Sequence, residues 1–309
     1  MNEFDFLTTE ERNKATMLLD KMSPLEIVTI MNAEDENVIK AVRKCLPQIA
    51  GAIQLSTEAM KKGGRIIYMG AGTSGRLGVL DAAECQPTFG VPSGLVLGLI
   101  AGGEKAFLQA VECAEDSEEN GKNALKKLNL SEQDIVVGLA ASGRTPYVIG
   151  GLRYAAETGC HTVAVSCNAD ARISQEAEIA IEVITGPEVL TGSTRLKAGT
   201  AQKMVLNMLS TGTMVGLGKV YENLMVDVVQ TNEKLVHRAE NIVMEAAGCD
   251  RGTARRALAN CNGSAKIAIV SILLNENAEV AEQLLKEAGG HIREALKSNG
   301  RGNRENDII

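Results

Sequence analysis

Three segments rich in glycine and hydroxyl residues have the composition and spacing of phosphate-binding loops. The first segment, Tyr68–Gly78, reads YMGAGTSGRLG and contains GAGTSG, a match to G-x-G-x-x-G. Glycines let the backbone approach an anion, and a helix that begins there offers N–H groups and a favourable dipole. The first segment therefore predicts an anion site formed by Gly72, Thr73, Ser74 and Gly75.

Two large phosphorylated ligands fit the first segment poorly. A dinucleotide site needs an acidic residue at the end of the next strand, about 20 residues on. The next predicted strand ends in LIAGG, and the acid that follows it, Glu104, comes some ten residues too late for this role. A nucleoside triphosphate site needs a Lys and a hydroxyl where this chain has Arg76 and Leu77. A smaller phosphorylated ligand is favoured.

The second segment, Ala141–Pro146, reads ASGRTP and also joins a predicted strand to a predicted helix. Two such loops at neighbouring strand ends can bind one phosphate with hydroxyl and backbone donors, an arrangement that suits a small monoester and needs no metal. By itself ASGRTP is also an ordinary capped helix start. Taken with the first segment, it predicts substrate contacts from Ser142, Gly143, Arg144 and Thr145.

The third segment, Gly186–Thr200, reads GPEVLTGSTRLKAGT and combines hydroxyls with basic side chains. It follows the last predicted strand and could cover the sugar end of a ligand through Ser193, Thr194 and Arg195. An equally good interpretation is a cap for the long helix predicted over Thr200–Val215.

Glu84 and Glu115 are two carboxylates to consider for acid–base chemistry, but residue type and spacing alone do not select them, and a solvated surface carboxylate is the ordinary interpretation of either. Glu84 is nine residues past Gly75, or about 13 Å if the chain between them is helical. It can therefore reach the phosphate site only if the helix ends early or if it comes from a second subunit. Cys85 has none of the three His residues near it in sequence and is interpreted as structural.

Five short apolar runs, separated by stretches of helix length, predict buried parallel strands. These runs are Arg65–Gly70, Leu95–Ala101, Ile135–Ala140, His161–Ser166 and Ile179–Ile184. The predicted fold is α/β, a three-layer αβα sandwich with a five-stranded parallel sheet. Ligands bind such sheets beyond the carboxyl ends of the strands, where the three segments lie.

The sequence predicts a helical arm over 1–53, an α/β domain over 54–220, a helical subdomain over 221–300 and a polar tail over 301–309. In the N-terminal arm, helix starts are predicted at Thr9, from capping residues, and at Ser23, which is followed by Pro and an acid. Five helices with glycines at the breaks are predicted after about residue 230.

Composition limits the kinds of partner and compartment. The net charge of −7 disfavours a nucleic-acid surface, which needs clustered Lys and Arg. Seven dispersed cysteines without a C-x-x-C pair indicate reduced thiols in a cytoplasmic protein rather than a zinc site. No apolar run approaches 18 residues, so no membrane span is expected. No motif calls for a metal or a cofactor.

The chain resembles the sugar isomerase (SIS) phosphosugar-binding family in its paired GAGTSGR and ASGRTP segments. More narrowly, it resembles the N-acetylmuramic acid 6-phosphate etherase family in four blocks, MGAGTSGRLGVLDAAECQPTFG, AVECAEDS, AASGRTPYV and GPEVLTGSTRLKAGTAQK. The resemblance spans nearly the whole chain. It implies a SIS domain over 54–220 and a homodimer with sites near the interface.

The resemblance also implies a reaction, which is cleavage of the D-lactyl ether of N-acetylmuramate 6-phosphate. In this family lactate is eliminated across C2–C3 of the open-chain sugar and water then adds, giving N-acetylglucosamine 6-phosphate and D-lactate. The family's acid corresponds to Glu84, and its second catalytic carboxylate corresponds to Glu115, as base at C2 or activator of water. Amino-sugar catabolism and cell-wall recycling are the processes implied.

Two other functions remain open at this point. A non-catalytic sugar-phosphate sensor like the glucokinase regulatory protein shares these blocks, although that family joins two SIS domains in a longer chain. An aldose–ketose isomerase of the SIS family is less favoured, because such enzymes can carry a Glu where this chain has Arg195.

Overall fold

The computed structural model describes residues 7–109, 111–230 and 232–298. The described chain forms two compact units. The first comprises the described residues up to Ala83 together with Ser93–Thr211. The second comprises Glu84–Pro92 together with the described residues from Gly212 onwards.

The first unit is built on a five-stranded parallel sheet with the order β2-β1-β3-β4-β5. Its strands are β1 (Ile66–Gly70), β2 (Val96–Ile100), β3 (Ile135–Leu139), β4 (His161–Ser166) and β5 (Ile179–Glu182). The central strands β1 and β3 are buried along their whole length, as expected of a parallel sheet covered on both faces. The predicted α/β class and all five strands are confirmed, with ends that differ by two residues or fewer.

Helices connect and flank these strands, and two of them, α3 and α7, continue across the boundary between the units. They are α1 (Pro24–Lys44), α2 (Leu46–Lys61), α3 (Gly72–Phe89), α4 (Lys105–Leu108), α5 (Glu118–Lys126), α6 (Pro146–Glu157) and α7 (Lys197–Gly216). On one face of the sheet, Val148 and Leu152 of α6 share a core with Met69 and Val136. A Cβ on Gly138 would lie 2.6 Å from Val148, so glycine is what lets α6 pack this close to β3.

The helix predicted to begin at Ser23 is confirmed as α1. Ser23 Oγ accepts from the amide of Glu26 at 3.4 Å, and the Glu26 carboxylate accepts from the amide of Ser23 at 2.7 Å. These reciprocal bonds form a capping box, and Pro24 occupies the first helical position, where its missing N–H costs nothing.

The helix predicted to begin at Thr9 is wrong. Residues 8–10 form a turn, followed by two short 3-10 helices, Lys14–Thr16 and Leu19–Lys21. The groups that would cap a helix are bonded to Asn168 instead, because the amide of Thr9 donates to Asn168 Oδ1 at 3.3 Å and Thr9 Oγ1 accepts from Asn168 Nδ2 at 3.0 Å. A contact between residues far apart in sequence therefore overrides the local signal.

Helix α3 is longer than the sequence predicts. A helix was expected over Arg76–Ala83 with the chain turning at Pro87, but α3 begins at Gly72 and includes Pro87 in its last turns. The chain turns at Gly90, which has a left-handed φ of 62° and donates its amide to Gln86 at 3.0 Å. A left-handed glycine is a common helix terminator, whereas a proline near the end removes only one hydrogen bond.

The second unit is mainly helical, as predicted. After a short antiparallel pair that the sequence did not reveal, β6 (Val220–Tyr221) and β7 (Leu224–Met225), come α8 (Glu233–Ala247), α9 (Arg251–Asn260), α10 (Ala265–Leu274), α11 (Ala278–Glu287) and α12 (Ile292–Ser298). Helix α8 begins about two turns before the predicted Asn241, because Asn232 caps it by accepting from the amide of Leu235 at 3.0 Å. The predicted tail at 301–309 lies outside the described residues.

A shared core of small and branched side chains holds these helices together, with Ala239, Val243, Ala268, Ile269 and Ala281 at its centre. No single helix in the described part of the chain is both long and apolar enough to cross a bilayer. Helices α9 and α10 reach that length and composition only as a pair, across a bend of 112°.

Candidate active site

The first segment joins β1 to α3 by way of close backbone contacts at the carboxyl edge of the sheet. Gly72, at the start of α3, has a left-handed φ of 51°. A Cβ on Gly75 would lie 2.7 Å from the carbonyl oxygen of Gly70, so only glycine lets the first turn of α3 lie directly above the end of β1. The N-terminus of α3 therefore lies directly after the end of β1, which is the arrangement of a phosphate site.

The second segment lies at the end of β3, the neighbour of β1 in the sheet. Gly143 has a left-handed φ of 71°, and the amide of Arg144 donates to Ser142 Oγ at 3.3 Å. Thr145 precedes α6, but its hydroxyl makes no capping bond to the helix. The Nε and Nη1 atoms of Arg144 are buried and have no hydrogen-bond partner among the described residues. The second segment thus has unused donors, which are what an anionic ligand needs.

Glu115 lies between the first and second segments. Its backbone carbonyl accepts from the amide of Tyr147, in the first turn of α6, at 3.0 Å. On the other side, Glu115 lines a cavity of about 170 Å³ together with Gly72 and Arg76 of the first segment. The structure therefore brings this predicted catalytic residue next to two of the predicted phosphate loops.

The pKa of the Glu115 carboxyl is raised, first by partial burial and second by the neighbouring carboxylate of Asp116. The side chain stays accessible to solvent, so it can still exchange protons. A carboxylate with a raised pKa is a stronger base, which suits proton abstraction near neutral pH. Among carboxyls in a cleft, a shift of this kind is a marker of a functional site.

Arg76 does not serve as a phosphate-binding cation in this structure. Its guanidinium donates to the carbonyl oxygens of Ala106 at 2.8 Å and Phe107 at 2.9 Å. These bonds attach the first segment to α4 and close one side of the cavity beside Glu115. The residue at the position of a nucleotide-binding Lys therefore has a structural role, consistent with a smaller ligand.

The third segment is held at both ends. Glu188 caps α7 by accepting from the amides of Lys197 and Ala198, each at 2.9 Å. The buried ammonium of Lys197, which is 1% exposed, pairs with Glu34 of α1 at 2.7 Å. Because a carboxylate already occupies the amide end of α7, that helix end is not open to a phosphate.

Ser193, Thr194 and Arg195 lie in the middle of the third segment, in a turn before α7. The carbonyl oxygen of Thr194 accepts from the amide of Gly199 at 2.9 Å. A Cβ on Gly199 would lie 3.5 Å from Thr194 O and 3.5 Å from Thr73 Cγ2. The first and third segments therefore meet at Gly199, whereas Arg195 remains exposed.

The Ser74 hydroxyl is not freely available to donate a hydrogen bond to a phosphate. It is buried, and its hydroxyl donates to Gln202 Oε1 of α7 at 2.9 Å. Gln202 is not among the site residues predicted from sequence. The only sequence signal was its position at the end of the KAGTAQK block, one turn after the start of the long helix.

Glu84 lies on the part of α3 that belongs to the second unit and is exposed to solvent. Helix α3 is continuous from Gly72 to Phe89. The helix therefore does not end early, and this route for returning Glu84 to the first segment is absent. Cys85 next to it is buried, as the structural interpretation expected.

Comparison with known protein families agrees with this architecture. Residues 48–156 match the family described as the glucokinase regulatory protein N-terminal SIS domain, and residues 110–212 match the SIS domain family. The parallel sheet and these two matches define the chain as a SIS-domain protein. A phosphoheptose isomerase from Neisseria gonorrhoeae is a structural neighbour, at 18% identity and a TM-score of 0.48 over 62% of this chain and 98% of that one.

Comparison with curated relatives identifies a narrower family among SIS-domain proteins. N-acetylmuramic acid 6-phosphate etherase of Pectobacterium atrosepticum is 59% identical over 94% of this chain and 96% of the relative. The etherase of Serratia proteamaculans is 60% identical over 94% of this chain and 98% of the relative. The chain belongs to the N-acetylmuramic acid 6-phosphate etherase family.

Proposed function

We propose that this protein is a carbon–oxygen lyase that cleaves the D-lactyl ether of N-acetylmuramate 6-phosphate, giving N-acetylglucosamine 6-phosphate and D-lactate. The observation that carries the proposal is the identity of 59% to a named etherase across 94% of the chain. The position of Glu115 between two phosphate-type loops is the structural feature that agrees with it. Amino-sugar catabolism and cell-wall recycling follow from this activity.

The 6-phosphate is bound by the first and second segments in this proposal. The amide end of α3 at Gly72 and Thr73 supplies backbone donors, and Ser142 and Thr145 supply the facing hydroxyl donors. Gly75 and Gly143 shape the two loops, since their own amides donate to Ala71 and Ala140. Support comes from the unpartnered Nε and Nη1 of Arg144 and from the Thr145 hydroxyl, which its helix does not use. Ser193, Thr194 and Arg195 contact the sugar, and the contact between Gly199 and Thr73 supports their proximity.

The reaction proceeds on the open-chain aldehyde in two stages. A base removes the proton at C2, the C2–C3 double bond forms, and the C3–O bond breaks while an acid protonates the departing lactyl oxygen. Water then adds its oxygen to C3 and a proton returns to C2, so the sum is ether plus water giving alcohol plus lactate. Removal of a proton next to a carbonyl needs a positioned base, and an alkoxide leaving group needs an acid.

Glu115 is assigned as the base at C2 in the first stage, and it returns that proton to C2 in the second stage. The raised pKa of its carboxyl supports this assignment, because a stronger carboxylate base abstracts a carbon-bound proton more readily. Glu84 is assigned as the acid that protonates lactate. Ionised once it has given its proton to lactate, Glu84 takes the proton of the attacking water in the second stage.

A homodimer in which Glu84 reaches the site of the other subunit is part of the proposal. Two observations support it. Helix α3 is continuous through Glu84, which removes the early helix end as an explanation. In the N-terminal arm, Leu25 is 74% exposed and Val28 is 58% exposed, and a partner subunit would cover these apolar side chains. Light scattering should give twice the chain mass, and a monomer that is fully active would defeat this part of the proposal.

A cytoplasmic location is proposed from the cysteines. Five of the seven cysteines are buried, and the cysteines are present as thiols, as expected of a protein in a reducing compartment. Cell fractionation tests this directly, and recovery of the protein outside the cytoplasm would contradict it.

Incubation with N-acetylmuramate 6-phosphate tests the activity. We expect stoichiometric release of D-lactate and N-acetylglucosamine 6-phosphate, with oxygen from solvent water at C3. Binding without lactate release would indicate a sensor instead, and conversion of an aldose phosphate to a ketose would indicate an isomerase.

A further inference from the structure

We infer that Gln202 is a positioning residue, which turns the Ser74 hydroxyl into a donor for the substrate's phosphate. The inference rests on the proposed placement of that phosphate at the first segment. It adds a residue from α7 to a site otherwise formed by the ends of β1 and β3.

Gln202 is placed for this role by the packing of α7 against α3. It is 1% exposed, and its Oε1 accepts from Ser74 Oγ at 2.9 Å. One turn earlier, Gly199 approaches Thr73, since a Cβ there would lie 3.5 Å from Thr73 Cγ2. Successive turns of α7 therefore face the successive residues Thr73 and Ser74 in the first turn of α3.

The other end of the Gln202 carboxamide is unsatisfied. Its Nε2 is buried and has no hydrogen-bond partner among the described residues. A buried N–H without a partner is unfavourable, and native structures retain such groups rarely. An unpartnered, fully buried donor next to a predicted anion site indicates that a second arrangement of this side chain exists when a ligand is bound.

The single proton of the Ser74 hydroxyl determines how the Gln202 carboxamide is oriented when phosphate is bound. The Ser74 hydroxyl has one proton, and with that proton directed to Gln202 Oε1 it cannot donate to an anion. A half-turn of the carboxamide puts Nε2 in the place of Oε1, at the same distance from Ser74 Oγ. Nε2 then donates to Ser74 Oγ, and the hydroxyl proton is released toward the phosphate, whose oxygens accept it. One hydrogen bond between the two side chains is exchanged for another, the buried N–H gains a partner, and Oε1 takes the position that has none.

Isothermal titration with inorganic phosphate and with N-acetylglucosamine 6-phosphate tests this inference without requiring turnover. Gln202→Met keeps the length of the side chain and removes both amide groups. We expect its Kd for either ligand to rise by only about twofold to tenfold, because the bound state loses the donor that fixes Ser74 Oγ while the free state loses the acceptor that competes for its proton. Without ligand, its melting temperature should stay within about 2 °C of the native value, because the substitution also removes the orphaned N–H. Gln54→Met, an exposed glutamine on α2, is the matched control and should leave Kd unchanged.

Gln202→Glu is a second variant for the same titrations, and it tests the inference even if Gln202→Met does not fold. A carboxylate only accepts, so it keeps the Ser74 proton, and Kd should rise about tenfold or more. In the steady state, KM should rise in both variants while kcat changes less. Combining Gln202→Met with Ser74→Ala should weaken binding no further than Ser74→Ala alone, since both act on one hydrogen bond.

Unchanged phosphate affinity in folded Gln202→Glu protein, additive losses in the double variant, or no phosphate binding by the native protein would each overturn the inference. Failure of the native protein to release lactate would instead defeat the proposed function, and the phosphate titrations would still report on Gln202.

Discussion

The amide of Tyr147 donates to the carbonyl oxygen of Glu115 at 3.0 Å, and this bond connects the chain between α4 and α5 to the first turn of α6. The second segment immediately precedes Tyr147, so the carboxyl of Glu115 is held next to the proposed phosphate site. The bond involves only backbone atoms, and substitutions of the Glu115 side chain should therefore leave it intact. Variants at Glu115 can thus probe chemistry with little effect on the fold.

Replacing the proposed base, Glu115, should abolish chemistry but preserve binding. Glu115→Gln removes the proton acceptor and retains the backbone bond to Tyr147. We expect kcat for lactate release to fall by about 10²–10⁴-fold, while Kd for N-acetylglucosamine 6-phosphate changes little. The product titration serves as the control for folding, and lactate release at more than a tenth of the native rate would contradict the assignment.

The pH dependence of the reaction should reflect the raised pKa of Glu115. The proposed base works only when ionised, so kcat/KM falls as the pH drops through this pKa, and burial and Asp116 move this acid limb to higher pH. Asp116→Asn removes one of the two causes of the shift and should move this limb to lower pH. Glu119→Gln, an exposed change nearby, is the control. If the limb stays in place in Asp116→Asn, Glu115 is not the titrating group.

The subunit origin of Glu84 can be decided by complementation. In the proposed homodimer, Glu84→Ala and Glu115→Ala proteins should each be inactive, since each lacks one of the two proposed catalytic groups. If Glu84 acts in the partner's site, each mixed dimer regains one intact site, and equal mixing restores about a quarter of native lactate release. No recovery in co-expressed, separately tagged and co-purified dimers would show that Glu84 acts within its own subunit.

Removing a phosphate donor should affect binding more than turnover. Ser142→Ala deletes a hydroxyl of the second segment, and we expect KM to rise about tenfold with kcat within about threefold of native. Inorganic phosphate should also bind more weakly to this variant. An unchanged KM would remove Ser142 from the phosphate site.

The ion pair beneath the third segment should stabilise the fold at neutral pH. Burial alone would raise the pKa of Glu34, but hydrogen bonds from Lys197 and Asn13 outweigh it and lower the pKa. Glu34→Gln leaves the buried ammonium of Lys197 without its counter-ion and should reduce the free energy of unfolding by about 3–5 kcal/mol.

Glu36→Gln, two residues along α1, breaks only the exposed pair with Lys40 and should cost about 0–1 kcal/mol. The loss in Glu34→Gln should be full above the pKa that this carboxyl has when unfolded. It should shrink as the pH falls through the lower pKa of the folded state, where the native carboxylate is protonated as well. Urea unfolding at pH 7 and below pH 4 measures both effects, and equal losses in the two variants at pH 7 would contradict the prediction.

Local sequence patterns were sufficient to predict most of the fold. Five apolar runs gave the five buried strands, and Ser23 with Pro24 and Glu26 gave the start of α1, because each of these signals acts within a few residues. The expected helix at Thr9 failed for the opposite reason, since its capping groups bond to Asn168, 159 residues away. The extent of α3 was missed because a proline near a helix end removes only one bond and need not stop the helix.

The candidate site could be predicted only in part. The glycine and hydroxyl motifs identified three segments at strand ends, and the parallel sheet makes their proximity a consequence of topology. Glu115 has no such motif, and from sequence it resembles the acidic residues around it. Its selection came from family resemblance, and its position depends on a backbone bond to α6 that leaves no trace in residue type.

The sequence by itself determined the class of fold, the three phosphate-type segments and the family, because these depend on local periodicity and on long runs of matching residues. Tertiary structure alone decided which side chains are used and how. Ser74 is paired with Gln202, 128 residues away, and Arg76 holds α4 rather than an anion. Hydrogen-bond partners are chosen by packing in three dimensions, and the spacing of residues along one chain does not encode that choice.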